Sequence, residues 1–159
     1  MSTESERAEF VERMGGALSD AGLARLPSRA FAALMVDEDG RMTAAELAAA
    51  LDVSAGAVSG AVKYLGQIGM IRRVRERGSR RDVYVVDDDA WHGTMMNTGR
   101  LYAPMFAALD RTLEDLPAND PARRRLTLAR EFLAFVDAEM KDLALRWESR
   151  RDELDQDMR

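Results

Sequence analysis

The 159-residue chain has no cysteine and a single histidine, His92. The first absence excludes disulfides, thiolate nucleophiles and cysteine-based zinc sites. The second leaves no imidazole pair for a metal or a His-based relay, so neither metal nor cofactor is expected. No apolar run approaches the roughly eighteen residues of a membrane span, so no membrane partner is expected. The first ten residues, MSTESERAEF, are acidic and polar, without a basic start and an apolar stretch behind it, and a cytoplasmic location is the expectation. Also missing are paired carboxylates on one face, a nucleophile beside a base and a glycine-rich phosphate loop. Enzymatic function is therefore not expected.

What is present is ordinary in bulk, with 47% hydrophobic and 32% charged residues, and fits one domain or a small domain with a helical extension. Lys63 and Lys141 are the only lysines among 23 basic residues. Net charge is −5, but residues 61–82 carry Lys63, Arg72, Arg73, Arg75, Arg77, Arg80 and Arg81 against only Glu76 and Asp82. Two readings fit that run: a solvated arginine-rich hairpin, or a basic patch that binds phosphate despite an acidic body, because a polyanion meets the nearby field first.

Local patterns order the first half. Thr3 and Glu6 have capping-box spacing ahead of a helix over about 5–20, with Phe10, Met14 and Leu18 at i, i+4 and Gly22 as a stop. Pro27 opens a short helix through SRAFAALMV, ended by the turn DEDG at 37–40. Thr43 and Glu46 repeat the capping-box spacing before AAELAAAL, and after the break DVS, Ser54 is a good N-cap for a fourth helix. At 100° per residue this helix puts Ala57, Val58, Ala61, Val62, Leu65 and Ile68 on one side and Ala55, Gly56, Ser59, Gly60, Lys63 and Gln67 on the other. Two β-rich runs follow, 70–75 and 82–86, with Gly78 and Ser79 as the turn between them. Helix, helix, break, helix, hairpin is the order of a winged helix-turn-helix.

The run Glu46-Leu47-Ala48, Val53-Ser54, Val58-Ser59, Leu65 and Gly69-Met70-Ile71, with FVERMG before it and an arginine-rich wing ending in Tyr and Trp, resembles the MarR family of bacterial transcriptional regulators. The likeness is to the GbsR-like branch in particular. It covers 10–91 well and the C-terminal helices by pattern only. The family's Asp-x-Arg at the wing is replaced here by RERGSRRD. The resemblance implies double-stranded DNA as partner, with Ser54, Ala55, Gly56, Ser59, Lys63 and Gln67 on the reading helix and Arg75, Arg77, Arg80 and Arg81 on the wing. Side chains that reach base edges are scarce on this helix, so it is expected mainly to position, with the wing and DNA shape adding specificity. Gly56 and Gly60 each cost about 1 kcal/mol of helix stability against Ala, which suits close approach of backbone to a phosphate rail or to a neighbouring helix.

The second half reads as a long helix from about Asp88, kinked or restarted at Pro104, then a loop LPAND and a strong helix start at Asp120-Pro121. Leu126, Ala129, Leu133, Val136, Met140, Leu143 and Trp147 are spaced 3,4,3,4,3,4, while Leu128, Phe132 and Phe135 widen the apolar face. The expected fold class is mainly α with a small β-hairpin: a winged helix-turn-helix head over 23–87 and a dimerisation stem over 88–159 joined by residues 1–22. The interface expected for a homodimer is Phe10, Met14, Leu126, Leu133, Val136, Met140, Leu143 and Trp147, with an intramolecular bundle as the other way to cover that seam. Two-fold symmetry implies an inverted-repeat operator with reading helices one duplex turn apart, roughly 34–36 Å. Trp91, Met95, Tyr102 and Phe106 are core, or line a small-molecule effector pocket of the kind the family uses, with a quaternary ammonium as one chemistry that suits them. His92 is expected at the surface or in a cap. The functions in view are a homodimeric repressor with a small-molecule response and, in another class, a winged helix that docks protein.

Overall fold

The computed structural model describes residues 3–158 except 76, 77, 79, 80 and 97; the side chains at 94, 96 and 98–101 also lie outside the description. Among the described residues the order is α1 (Thr3–Asp20), α2 (Arg25–Val36), β1 (Arg41–Thr43), α3 (Ala44–Leu51), α4 (Ala55–Gln67), β2 (Arg72–Arg75), β3 (Asp82–Val85), α5 (Ala90–Met96), α6 (Thr98–Asp115) and α7 (Ala122–Asp157). They divide into two compact units, Met1–Thr94 and Met95–Arg159. The first runs past the expected head boundary at 87.

In the first unit α2 is the centre. Ala30, Phe31, Ala32 and Leu34 are fully buried, and Leu47, Val58 and Leu65 of α3 and α4 close over them. Pro27 lies in the first turn of α2, where its missing N–H leaves no partner wanting, and the helix begins at Arg25 rather than at the proline. α1 packs along α2 through Val11, Gly15 and Leu18. A Cβ at Gly15 would stand 2.8 Å from Arg29 Cγ, so glycine sets how closely the helices approach. Beside it the Arg29 guanidinium donates to Glu12 Oε1 at 2.9 and 2.7 Å. α1 already includes Thr3, which is therefore a first-turn residue and not the cap its spacing suggested. Phe10 and Met14, expected at a dimer interface, are half-buried against this core because α1 lies on α2.

The capping box at α3 is present in full. Thr43 Oγ1 accepts from the Glu46 N–H at 3.2 Å, and Glu46 Oε2 accepts from the Thr43 N–H at 2.6 Å and its hydroxyl at 2.8 Å. α3 ends on Asp52 with φ +53°, and the Val53 N–H turns back to the Ala48 carbonyl at 3.0 Å. Ser54 then caps α4, accepting from the Ala57 N–H at 3.2 Å. α3 and α4 meet at 110°, inside the range of a helix-turn-helix. Gly69 at φ +81° ends the turn after α4, where the Met70 N–H returns to the Leu65 carbonyl at 2.9 Å. Ile68, expected on the buried side, is 38% exposed because it is the C-cap and points out of that turn.

The hairpin is part of a three-stranded antiparallel sheet in the order β1-β3-β2. β1 pairs Met42 with Tyr84, and β2 pairs Arg73 with Tyr84 and Arg75 with Asp82. β1 escaped the sequence reading because three residues running straight into a helix cap show no alternation. In the second unit α6 and α7 pack antiparallel. α6 runs through Pro104 without the restart expected there, since packing on α7 outweighs one missing backbone donor. α7 starts where Asp120 Oδ1 accepts from the Ala122 N–H at 2.7 Å.

Candidate nucleic-acid interface

The amphipathic split of α4 decides what the first unit shows to solvent. Val58, Ala61, Val62 and Leu65 are buried, while Ser54, Ala55, Gly56, Ser59, Gly60, Lys63 and Gln67 are exposed. Gly56, Gly60, Lys63 and Gln67 fall along one line, the crest of the exposed face. A Cβ at Gly60 would meet nothing within 4 Å. The reading in which Gly60 packs under a neighbouring helix is therefore overturned: among the described residues of the first unit, none stands over it.

The wing sheet stands beside this crest. Residues 73, 75, 82 and 84 share one face through the register of β2 and β3. Asp82 receives the Arg73 guanidinium, and Arg75 Nε lies 3.7 Å from its other oxygen. The Arg73 guanidinium holds the Asp82 carboxyl below the usual carboxylate range, and Asp82 in turn raises Arg73. At the outer end of the sheet, Arg72 Nε donates to Asp87 at 2.8 Å, which lowers the Asp87 carboxyl. Glu46 is lowered chiefly by the Thr43 N–H, with Arg81 as the smallest cause. Among the predicted wing residues Arg75 and Arg81 are exposed, whereas Arg77 and Arg80 lie outside the described residues. Arg73 and Tyr84 were missed by sequence reasoning. Their signal was the period-2 alternation that sets Arg73 and Arg75 on one face, legible only once β3 supplies the partner.

The other predicted residues gather in two places. In the first unit Trp91 packs edge-on against Phe31, with ring centroids 5.3 Å apart, and closes the core. His92 Nδ1 lies 3.6 Å from Asp89. In the second unit Met95 is 58% exposed, and Tyr102 meets Phe106 at 6.3 Å, over which Arg130 sits at 5.6 Å. Arg130 also pairs with Asp110 at 3.0 Å, and Arg123 donates to the carbonyls of Leu113 and Leu116 at 2.6 and 2.7 Å, closing the open end of α6. These contacts hold the α6–α7 corner.

Within α7 no residue is buried. Of the expected seam, Leu126, Leu133, Val136, Met140 and Trp147 are half-buried and Leu143 is exposed. Leu128, Phe132 and Phe135 are 55%, 63% and 63% exposed, on the side of α7 opposite Arg123 and Arg130, which face α6. At 1.5 Å per residue α7 is about 54 Å long and α6 about 27 Å, so half of α7 extends beyond its partner helix. Among the described residues no group of His, Cys, Asp and Glu could hold a metal, and no single helix is long and apolar enough to cross a membrane.

Comparison with known proteins agrees with this geometry. Residues 21–82 match the profile of the MarR family, and residues 89–150 match that of the MmpR5-like MarR family transcriptional regulators. The chain is 33% identical over 156 residues to the HTH-type transcriptional regulator MmpR5 of Mycobacterium tuberculosis (strain ATCC 25618 / H37Rv), across 98% of this chain and 94% of that protein. A crystal structure of a transcriptional regulator is similar at 32% identity and a TM-score of 0.80, over 91% of this chain and 99% of the other.

Proposed function

The chain belongs to the MarR family of DNA-binding transcriptional regulators, and on that premise we propose that it is a homodimeric repressor of an inverted-repeat operator whose affinity a small molecule reduces. The observation that carries the DNA reading is the crest of α4. Small residues keep it low, none of the described residues of its own unit covers it at Gly60, and a basic sheet flanks it. A helix of that form enters a groove to position the protein, with Gln67, Arg75 and the wing arginines 77, 80 and 81 adding contacts. Dimerisation is supported by α7, whose apolar side chains at 128, 132 and 135 are exposed among the described residues. The interface assigned to it is that patch together with the half-buried seam, and the α1 residues Phe10 and Met14 where a second copy meets them. The effector assignment rests on Met95, Tyr102 and Phe106 of the second unit, whose aromatic and thioether surfaces suit an apolar ligand, while Trp91 belongs to the first unit, where it packs on Phe31. Residues 89–150 match the MmpR5-like regulators' profile, and the GbsR-like branch rests on the sequence motifs alone.

Titration of a duplex of the protein's own upstream intergenic DNA against a scrambled duplex, at about 50 and 200 mM salt, tests this reading. Sequence-preferring, strongly salt-dependent binding is expected. Weak binding to both, without salt dependence, would favour a winged helix that docks protein. Sedimentation reporting a monomer at micromolar concentration would remove the dimer.

A further inference from the structure

Between α4 and the wing sheet lies a cleft of about 340 Å³ whose lining differs from that of two clefts in the second unit, one at the α6–α7 corner and one along α7. Those two carry Asp110 and Glu114, and Glu139 and Asp142. Among the described residues the lining of this one contains no acid: Lys63 and Arg73 supply two cations, Ser59 and Tyr84 two hydroxyls, and Gly66 an open edge. Its floor is apolar, formed by Val62 and Ile71, each 5% exposed. Resting on the DNA reading given above, we propose that this cleft is a seat for one backbone phosphate of the duplex, with Lys63 and Arg73 as its cations.

Three observations place a phosphate there and not a base edge. Ser59, Val62 and Gly66 lie on the flank of α4 turned towards the sheet, and Lys63, on the crest with Gly56, Gly60 and Gln67, borders the opening from its edge. The two cations come from different elements and converge on one opening, which suits a compact oxyanion with several acceptors. Arg73 is paired with the Asp82 carboxylate on the same face of the sheet, so its guanidinium is oriented before DNA arrives. Lys63 makes no ion pair among the described residues and brings its full charge to the cleft. Lys63 and Ser59, expected from sequence on the reading helix, thereby become residues that set register and affinity.

The test uses the full-length protein, the operator duplex and a scrambled duplex, with Lys63→Ala and Arg73→Ala, and Arg13→Ala on α1 as a control. Each cleft variant should weaken both duplexes by the same factor, about tenfold, leave their ratio within twofold, and reduce the slope of log affinity against log salt by about 0.9. A set of operator duplexes carrying one neutral methylphosphonate at a time should contain one position per half-site at which the wild type loses as much as Lys63→Ala does, while Lys63→Ala loses nothing more. Loss confined to the operator duplex would show that Lys63 reads a base and would overturn the seat. So would an unchanged salt slope, or methylphosphonate effects that add to Lys63→Ala at every position. A wild type without salt-dependent binding removes the DNA reading itself, a result distinct from all of these.

Discussion

Replacing Gly60 with alanine separates what α4 does for stability from what it does for binding. The added Cβ would meet nothing within 4 Å, so the folded chain gains no clash and loses the entropic cost of glycine in a helix interior. That difference is about 0.8–1.0 kcal/mol in favour of alanine, or roughly 2–4 °C in Tm for a chain of this size. In the complex the same methyl stands on the crest that backbone must bring against the duplex. Expected there is a loss of about tenfold in affinity or more, equivalent to about 1.4 kcal/mol. Gly16→Ala is the control, because Gly16 on α1 is also a helical glycine whose Cβ would meet nothing within 4 Å. It should raise Tm alike and leave DNA binding unchanged. Thermal unfolding followed by circular dichroism and anisotropy titration of the operator duplex give both readouts. If Gly60→Ala is stabilised like Gly16→Ala yet binds as the wild type does, no close approach occurs at that point, and the argument from small residues fails.

Thr43→Ala should cost about 1–2 kcal/mol in urea unfolding, because it opens both halves of the capping box. The Glu46 carboxyl is held below its usual value by the Thr43 N–H and hydroxyl, so its contribution is present above about pH 4.5 and is lost as pH falls through the lowered value. The stability gap between wild type and Glu46→Gln should accordingly shrink between pH 7 and pH 3. Phe132→Glu places a charge on the exposed apolar face of α7, and sedimentation should show the dimer weakened at least tenfold with the helical circular dichroism of the first unit retained; an unchanged dimer would move the interface elsewhere. Arg81→Ala should weaken duplex binding more than Gln67→Ala does, and equal losses in the same titration would reverse that ranking.

How much was legible depends on the range of the interaction. The caps at Thr43 and Ser54, the buried side of α4, the turn after it and the start of α7 at Asp120 were readable because each is decided within about four residues. The helix-turn-helix order and the wing followed from the same local signals, as did the small exposed residues of α4 at 55, 56, 59 and 60. Where a partner distant in sequence was needed, the reading ran out. β1 exists only because β3 offers its edge, Pro104 stays inside α6 because α7 packs on it, and Phe10 and Met14 are drawn into the first core because Gly15 lets α1 lie on α2. The Arg73–Asp82 pair and the cleft it borders are of the same kind. Periodicity tells which side of an element is apolar, and so the sequence alone determined the elements, their caps and the exposed crest of α4. Which surface each apolar side meets, and which charges from separate elements share one opening, is settled by close packing between segments far apart in the chain, and only the tertiary structure decided it.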